Sequence, residues 1–131
     1  MDRERITAME LKKILVVDDE EPISSYLKKK FTKLGFIVYI AGDGEEALKQ
    51  AFSNLPDIIL LDVKLPKLTG TEVCKILKSD ERTKLIPIIM LSAKAQSFEI
   101  QQGLGAGADR YLCKPVSFPD ILREIQAFEE K

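Results

Sequence analysis

Short apolar runs alternate along the chain with longer stretches in which apolar residues recur every three or four positions. The runs lie at residues 13–17, 36–40, 57–61, 87–91 and 110–113. Parallel strands that are covered by helices on both faces must be apolar on both sides, and each crossover between them needs a helix. The alternation therefore predicts an α/β fold, a doubly wound parallel sheet of five strands with five helices.

Local signals indicate where the helices begin and end. Pro22 suits the first turn of a helix and Gly35 its end, while Asp43 and Ser117 suit N-caps. The residues expected to face the core are Ile23, Tyr26, Leu27, Phe31 and Leu34 in the first helix and Val73, Ile76 and Leu77 in the third.

The helix predicted from about Ser97 is the weakest of the set. Gly103, Gly105 and Gly107 each cost up to ~1 kcal/mol relative to alanine in a helix interior. We expect this fourth helix to be the loosest element. The same glycines precede a strand and lack the GxGxxG spacing, so they do not indicate a dinucleotide site.

Charge and composition argue against several kinds of function. The 131 residues carry a formal charge of −1, which provides no broad positive field for nucleic acid or anionic lipid. No apolar stretch approaches the ~20 residues of a membrane span, and we expect a charged tail at 1–11 before one domain at 12–131. Cys74 and Cys113 form no CxxC pair, which favours a reducing compartment, and the expected location is cytoplasmic.

The chain contains no histidine. Its absence excludes a Ser-His-Asp triad, a Cys-His pair and an imidazole zinc site within this chain. Any chemistry here must use carboxylates, lysines, hydroxyls or a bound metal.

Charged side chains follow the predicted strands. Asp18 and Asp19 follow the first strand, Asp62 the third and Lys114 the fifth. Ligands of an open parallel sheet bind outside the carboxyl ends of its strands, so we expect these groups to share one pocket. Clustered carboxylates repel one another unless a cation neutralises them, and hard oxygen ligands favour Mg²⁺.

A Mg²⁺ ion at this edge would leave coordination positions for a phosphoryl oxygen, and Lys114 adds a second positive group. Asp62 is then a candidate nucleophile, because carboxylates attack phosphorus to give aspartyl phosphates. Ser92, which follows the fourth strand, could donate a hydrogen bond to the resulting phosphoryl group.

Each of these residues also has a structural interpretation. Asp18 and Asp19 could cap the first helix, and Asp62 could be an ordinary turn residue. Taken singly, Lys114 and Ser92 are common as solvated and strand-end residues. Their joint occurrence at the carboxyl ends of the strands favours the functional interpretation.

The chain resembles a receiver domain of the two-component response-regulator family. The resemblance runs from about residue 11 to 128 and implies a flavodoxin-like sheet with strand order 2-1-3-4-5. Its motifs are Val16-Val17-Asp18-Asp19-Glu20, Leu61-Asp62-Val63-Lys64-Leu65-Pro66, Leu91-Ser92-Ala93-Lys94 and Tyr111-Leu112-Cys113-Lys114-Pro115.

The resemblance implies a phosphoacceptor role for Asp62, which would take a phosphoryl group from a sensor histidine kinase or a phosphotransfer protein. It implies that Asp19 and Asp62 are the carboxylate ligands of Mg²⁺. It also implies that Asp18 holds a metal-bound water and that Lys64 contributes its backbone carbonyl.

The resemblance implies a switch as well. Ser92 and Lys114 match the residues that contact the phosphoryl group, and Tyr111 matches an aromatic residue that changes rotamer on activation. The fourth helix, fifth strand and fifth helix would form the output face toward a partner protein or output domain. The sequence leaves open whether the chain forms a homodimer on activation. The charged residues near this face could pair across a symmetric interface or stay solvated; they are Asp109, Arg110 and Arg123.

Two lysines occupy positions that the family varies. Lys64 and Lys94 lie two residues beyond Asp62 and Ser92, and such positions are often not basic. Two ammonium groups beside a phosphoryl group could stabilise its charge or obstruct an attacking water. We therefore predict slow self-dephosphorylation.

Two other functions stay open from the sequence. A Mg²⁺-dependent phosphatase would use Asp62 as a turnover nucleophile, but it needs a second acid or base where this chain has Lys64. A receiver-like binding module would keep the fold without being phosphorylated. The expectation is a signalling switch and not an enzyme with steady turnover.

Overall fold

The structure, a computed structural model, describes residues 12–92 and 105–129. Its strands are β1 (Lys13–Val17), β2 (Ile37–Ala41), β3 (Ile58–Asp62), β4 (Ile88–Ser92) and β5 (Arg110–Cys113). Its helices are α1 (Glu21–Lys33), α2 (Gly44–Asn54), α3 (Gly70–Ser79) and α4 (Phe118–Glu129). The tail expected at 1–11 and the helix expected from about Ser97 lie outside the described residues, so α4 is the helix predicted as the fifth.

All strand pairs are parallel, and the sheet has the order β2-β1-β3-β4-β5. The predicted fold class and strand order are therefore confirmed. The chain order changes direction between β1 and β3, which leaves a crevice at their carboxyl ends. Val17 of β1 pairs with Leu61 of β3, so the residues that follow each of them emerge side by side.

Two apolar layers cover the sheet because alternate strand residues point to opposite faces. Leu15, Val17, Ile59 and Leu61 face the layer formed with α2 and α3. Ile14, Val16, Ile58 and Leu60 face the layer formed with α1 and α4. Burial on both faces explains why these strands are continuously apolar in the sequence.

Three strands begin and end one residue later than predicted. The side chain of Asp57 accepts hydrogen bonds from the N–H groups of Lys12 and Lys13, so Asp57 anchors β1 instead of opening β3. Pro87 has no N–H to donate to a strand ladder, and β4 starts after it. Asp62 and Ser92 are consequently the last residues of their strands.

The helix ends follow their capping residues. Gly35 adopts a φ of +94° just after α1, as its predicted role at the helix end requires. Asp43 accepts a hydrogen bond from the Glu46 N–H at the start of α2, and Ser117 accepts one from the Asp120 N–H near the start of α4.

The prediction that three apolar helix residues face the core is wrong. Tyr26 is 51% exposed, Leu34 47% and Ile76 41%. The buried stripe of α1 runs through Leu27 and Phe31, while Leu34 lies beyond the last helical turn. In the described part of the chain, no helix has the length and apolar character needed to cross a membrane.

Candidate functional site

Three carboxylates meet at the crevice between β1 and β3. Asp18, Asp19 and Asp62 each offer an oxygen, and these oxygens lie within 4.8 Å of one another. Asp18 and Asp62 are buried, whereas Asp19 is exposed. The parallel pairing of the two strands brings together acids that are far apart in the sequence, as the strand-end pattern predicts.

Lys114 reaches the same cluster from the end of β5. Its Nζ lies 3.2 Å from Asp18 Oδ2 and 3.3 Å from Asp62 Oδ2. The Lys114 N–H donates to the carbonyl of Ser92, which extends the β4–β5 ladder past its last strand pair and holds the lysine at the crevice. One ammonium group therefore faces two buried carboxylates.

The charges of the cluster are not balanced. Burial raises the pKa of Asp62, and neighbouring Asp18 raises it further, while Lys114 lowers it without cancelling the rise. Burial alone would lower the pKa of Lys114, but Asp62 and Asp18 together raise it above its ordinary value. Lys114 is thus charged at neutral pH and offsets only part of the negative charge, which leaves the cluster suited to a further cation.

The second oxygens of the buried acids support the local backbone. Asp18 Oδ1 accepts a hydrogen bond from the Glu20 N–H at 2.9 Å, and Asp62 Oδ1 accepts one from the Lys64 N–H at 3.2 Å. The N-cap of α1 is Glu20, so Asp18 shapes the turn before this helix but does not cap it. Asp18 and Asp62 therefore contact backbone N–H groups through Oδ1 and the Lys114 ammonium through Oδ2.

The loop between β3 and α3 forms one wall of a cleft beside Asp19. The cleft has a volume of about 600 Å³, and residues 63–66 line it together with Asp19. The side chain of Lys64 is exposed there. Carboxylate oxygens beside a loop backbone form an all-oxygen donor set, which fits Mg²⁺ better than a softer metal.

The sequence-predicted switch residues occupy neighbouring strands. Ser92, the last residue of β4, is only 3% exposed. Tyr111 on β5 pairs in register with Met90 and packs against the α2–α3 side of the core. Lys94 lies outside the described residues.

A second, apolar groove was not anticipated from the sequence. It has a volume of about 650 Å³, and its lining residues come from α1, from the end of β4, from the segment that joins β5 to α4 and from the start of α4; they are Pro22, Ile23, Tyr26, Leu27, Leu91, Lys114, Pro115, Val116, Phe118 and Ile121. Lys114 belongs both to this groove and to the carboxylate cluster. Tyr26, which lines this groove, is one of the residues that the sequence predicted to face the core.

Comparison with known sequences identifies a matching family and a relative of this chain. A family model described as the response regulator receiver domain matches residues 14–126. The alkaline phosphatase synthesis transcriptional regulatory protein PhoP of Bacillus subtilis is 48% identical over 116 residues, which cover 88% of this chain and 48% of PhoP. The chain thus spans about half the length of this curated relative.

Solved structures share both the fold and part of the sequence. Chemotaxis protein CheY4 of Vibrio cholerae matches with a TM-score of 0.84 and 32% identity over 89% of this chain and 98% of that one. The receiver domain of sensor histidine kinase PA1611 from Pseudomonas aeruginosa, which has a magnesium ion coordinated in its active site cleft, matches with a TM-score of 0.84 and 29% identity over 92% of this chain and 98% of that one.

Proposed function

The chain belongs to the response regulator receiver domain family, and on that premise we propose that it is a switch that accepts a phosphoryl group on Asp62. The observation that carries the proposal is that the Asp62 carboxylate contacts the Lys114 ammonium and lies beside the carboxylates of Asp18 and Asp19. The donor is a phosphohistidine on a histidine kinase or a phosphotransfer protein. The donor histidine lies outside the 131 residues of this sequence, because they contain no histidine.

The transfer is an in-line substitution at phosphorus. A carboxylate oxygen of Asp62 forms a bond to phosphorus while the P–N bond of the donor breaks, and its electron pair returns to the departing imidazole. Because the transition state of phosphoryl transfer is loose, the site contributes mainly positioning and charge neutralisation. Lys114 Nζ, already 3.3 Å from Asp62 Oδ2, is close enough to contact a phosphoryl oxygen after a small movement.

The carboxylates would hold Mg²⁺ in this reaction. Asp19 and Asp62 are the proposed direct ligands, Asp18 holds a coordinated water, and Lys64 contributes its backbone carbonyl. Bound Mg²⁺ neutralises charge on the carboxylates and on the transferred phosphoryl group. The magnesium ion coordinated in the cleft of the PA1611 receiver domain supports this assignment.

Phosphorylation changes the charge on Asp62 from one negative charge to roughly two, spread over three oxygens. Ser92 and Lys114 are the groups that we propose move toward it. Ser92 pairs in register with Cys113, so movement at the end of β4 reaches β5 directly, where Tyr111 changes rotamer. Shifting such a switch from 1:99 to 99:1 requires about 5.5 kcal/mol of differential stabilisation.

The output is a partner protein or an attached output domain. PhoP is named as a transcriptional regulator, and this chain covers about half of it, which supports an output that controls transcription. We propose the predicted fourth helix, β5 and α4 as the output face. A homodimer through this face would exchange ion pairs that are intramolecular here: Lys78–Asp109, Arg110–Glu124 and Arg123–Asp120.

The apolar groove beside the site suits the protein that donates the phosphoryl group. Lys114 lines both the groove and the carboxylate cluster, so a helix seated in the groove brings its phosphohistidine next to Asp62. The Lys30 ammonium of α1 lies 5.8 Å from the ring centre of Tyr26 and 5.5 Å from that of Phe118, and both rings line the groove. The donor surface is therefore expected to combine apolar residues with an acidic rim.

The test is a titration with Mg²⁺ and beryllofluoride, which mimics the aspartyl phosphate. The amide chemical shifts of Ser92 and Tyr111 should change and reach a plateau as the beryllofluoride concentration rises. Asp62→Asn should abolish the change. Asp80→Asn, at the other end of α3, is the matched control and should respond like the wild type. Shifts that persist in Asp62→Asn would refute the proposal, and steady hydrolysis of p-nitrophenyl phosphate would favour a phosphatase instead.

A further inference from the structure

The loop between β3 and α3, residues 63–69, contains a strained turn. Lys67 has a φ of +72°, in the left-handed region that a long side chain seldom adopts. The Leu68 N–H donates to the Pro66 carbonyl at 2.8 Å, which closes a γ-turn around Lys67. Such a conformation is unfavourable and persists only where the surroundings hold it in place.

The N-terminus of α2 is what holds this turn. The Gly44 N–H donates to the Pro66 carbonyl at 3.1 Å. A Cβ atom on Gly44 would lie 2.5 Å from both the Cβ and the carbonyl oxygen of Leu68, so the loop packs directly on the glycine backbone. Lys67 Nζ also lies 3.6 Å from Asp43 Oδ2, but the lysine is exposed and such a surface pair contributes little to stability.

The other end of the loop is held by the strand that carries Asp62. The Gly70 N–H donates to the Val63 carbonyl at 2.8 Å. A Cβ atom on Gly70 would collide with the backbone carbonyl of Asp62. The stretch between these two anchors, residues 63–66, lines the cleft beside Asp19.

We propose that Gly44 is a positioning residue for cation binding, although it lies on a different element from the carboxylates. By admitting Pro66 and Leu68 to its own backbone, it sets where the backbone of residues 63–66 lies relative to Asp19. A side chain at this position displaces the loop and with it the Lys64 carbonyl. Mg²⁺ demands near-ideal octahedral geometry, so a displaced ligand weakens binding.

This inference rests on the proposed function, because it needs a cation at the carboxylates. Its test is a calorimetric titration with Mg²⁺ alone on Gly44→Ala, with Gly42→Ala as the matched control. A Cβ atom on Gly42 meets nothing within 4 Å. We expect the Kd for Mg²⁺ to rise about tenfold in Gly44→Ala, the lower end of the effect of altering a group that orients a metal ligand, and to stay unchanged in Gly42→Ala.

A purely structural role for Gly44 predicts a different result. It would lower the melting temperature and leave the Kd for Mg²⁺ unchanged below the transition. If Gly44 instead positions the loop for cation binding, beryllofluoride binding by Gly44→Ala recovers at saturating Mg²⁺, because the variant retains Asp62 and Lys114. A wild-type Kd in the folded Gly44→Ala protein would overturn the inference.

A second variant covers the case in which Gly44→Ala does not fold. Leu68→Ala introduces no collision but removes most of the half-buried side chain that packs the loop against the α2–α3 side of the core. We expect its Kd for Mg²⁺ to rise severalfold, and an unchanged Kd would overturn the inference. Failure of the wild type itself to bind Mg²⁺ would instead refute the proposed function, and the positioning role with it.

Discussion

The Lys114 ammonium lies 3.3 Å from the Asp62 carboxylate across a separation of 52 positions in the sequence. The contact exists because β4 lies between β3 and β5, and all three strands end at the same edge of the sheet. The same ammonium also contacts Asp18. One positive group thus serves two buried acids.

Lys114→Ala should destabilise the metal-free protein by about 3 kcal/mol. The substitution leaves Asp18 and Asp62 buried without a positive partner. An uncompensated buried charge strongly destabilises the folded state. Mg²⁺ should restore part of the loss, since it neutralises the same carboxylates. Urea unfolding with and without Mg²⁺ measures both effects.

The control for that experiment is Lys84→Ala. Lys84 pairs with Glu81 at the surface, and both side chains are largely exposed. Its loss should change stability by less than about 0.5 kcal/mol, with no dependence on Mg²⁺. Equal losses in the two variants would mean that Lys114 is no more important to the fold than a surface lysine.

Asp62→Asn should stabilise the metal-free protein at neutral pH. Burial raises the pKa of Asp62 in the folded state, so the unfolded chain loses its proton first as the pH rises above 3.8. Ionisation then favours the unfolded state, and the wild type loses stability with rising pH until the folded carboxyl is also ionised. The advantage of the asparagine variant should therefore be small at low pH and grow toward neutrality.

The measurement is the free energy of unfolding in urea between pH 3.5 and 8, without divalent cations. Asp80→Asn is a control of opposite sign, because hydrogen bonds from Arg82 lower the pKa of Asp80. An advantage for Asp62→Asn that shrinks with rising pH would contradict the electrostatic explanation.

Lys64→Ala should shorten the lifetime of the phosphorylated protein. The Lys64 side chain is exposed on the wall of the cleft beside Asp19, where an attacking water would approach. Lys75→Ala, which removes an ammonium from the same cleft but from α3, is the matched control. Decay of the aspartyl phosphate after loading with acetyl phosphate measures the rate.

The sequence argument includes Lys94 in the same prediction, so Lys94→Ala belongs in the same series. Slow decay in the wild type and faster decay in at least one of the two variants is the expected outcome. Unchanged decay in both Lys64→Ala and Lys94→Ala would show that neither ammonium protects the phosphoryl group.

The two cysteines should react with thiol reagents at very different rates. Burial raises the pKa of Cys74 to about 11, whereas Cys113 is exposed. At pH 8 about one thousandth of Cys74 would be thiolate, and the thiolate is the reactive form. Ellman's reagent should label one thiol rapidly in the native protein and the second only in denaturant.

The same pKa shift predicts a loss of stability at alkaline pH. The unfolded thiol ionises near its ordinary pKa of 9.0, below the folded pKa of about 11, so stability contributed by protonated Cys74 falls as the pH rises between these values. Cys74→Ala should lack this dependence, although it creates a small cavity. Rapid labelling of both thiols in the native protein would show that Cys74 is accessible.

The sequence by itself determined the sheet and the residue types at its edge. Strands such as β3 are recognisable because burial on both faces requires a continuous apolar run, and this requirement is local. Helix ends are also local, since Gly35 and Asp43 act on backbone groups within a few residues. The acidic residues at the carboxyl ends of β1 and β3 are likewise identified by their positions in the sequence.

Tertiary structure decided which of these groups meet and how closely. The partners of Lys114, the exposure of Tyr26 beside the apolar groove and the contact of Gly44 with Leu68 join elements that are distant in the sequence. No periodicity encodes such contacts, because they depend on strand order and on the register between strands. The one-residue shift of β3 and β4 has the same origin: hydrogen bonds to Asp57 and the missing N–H of Pro87 set where pairing begins.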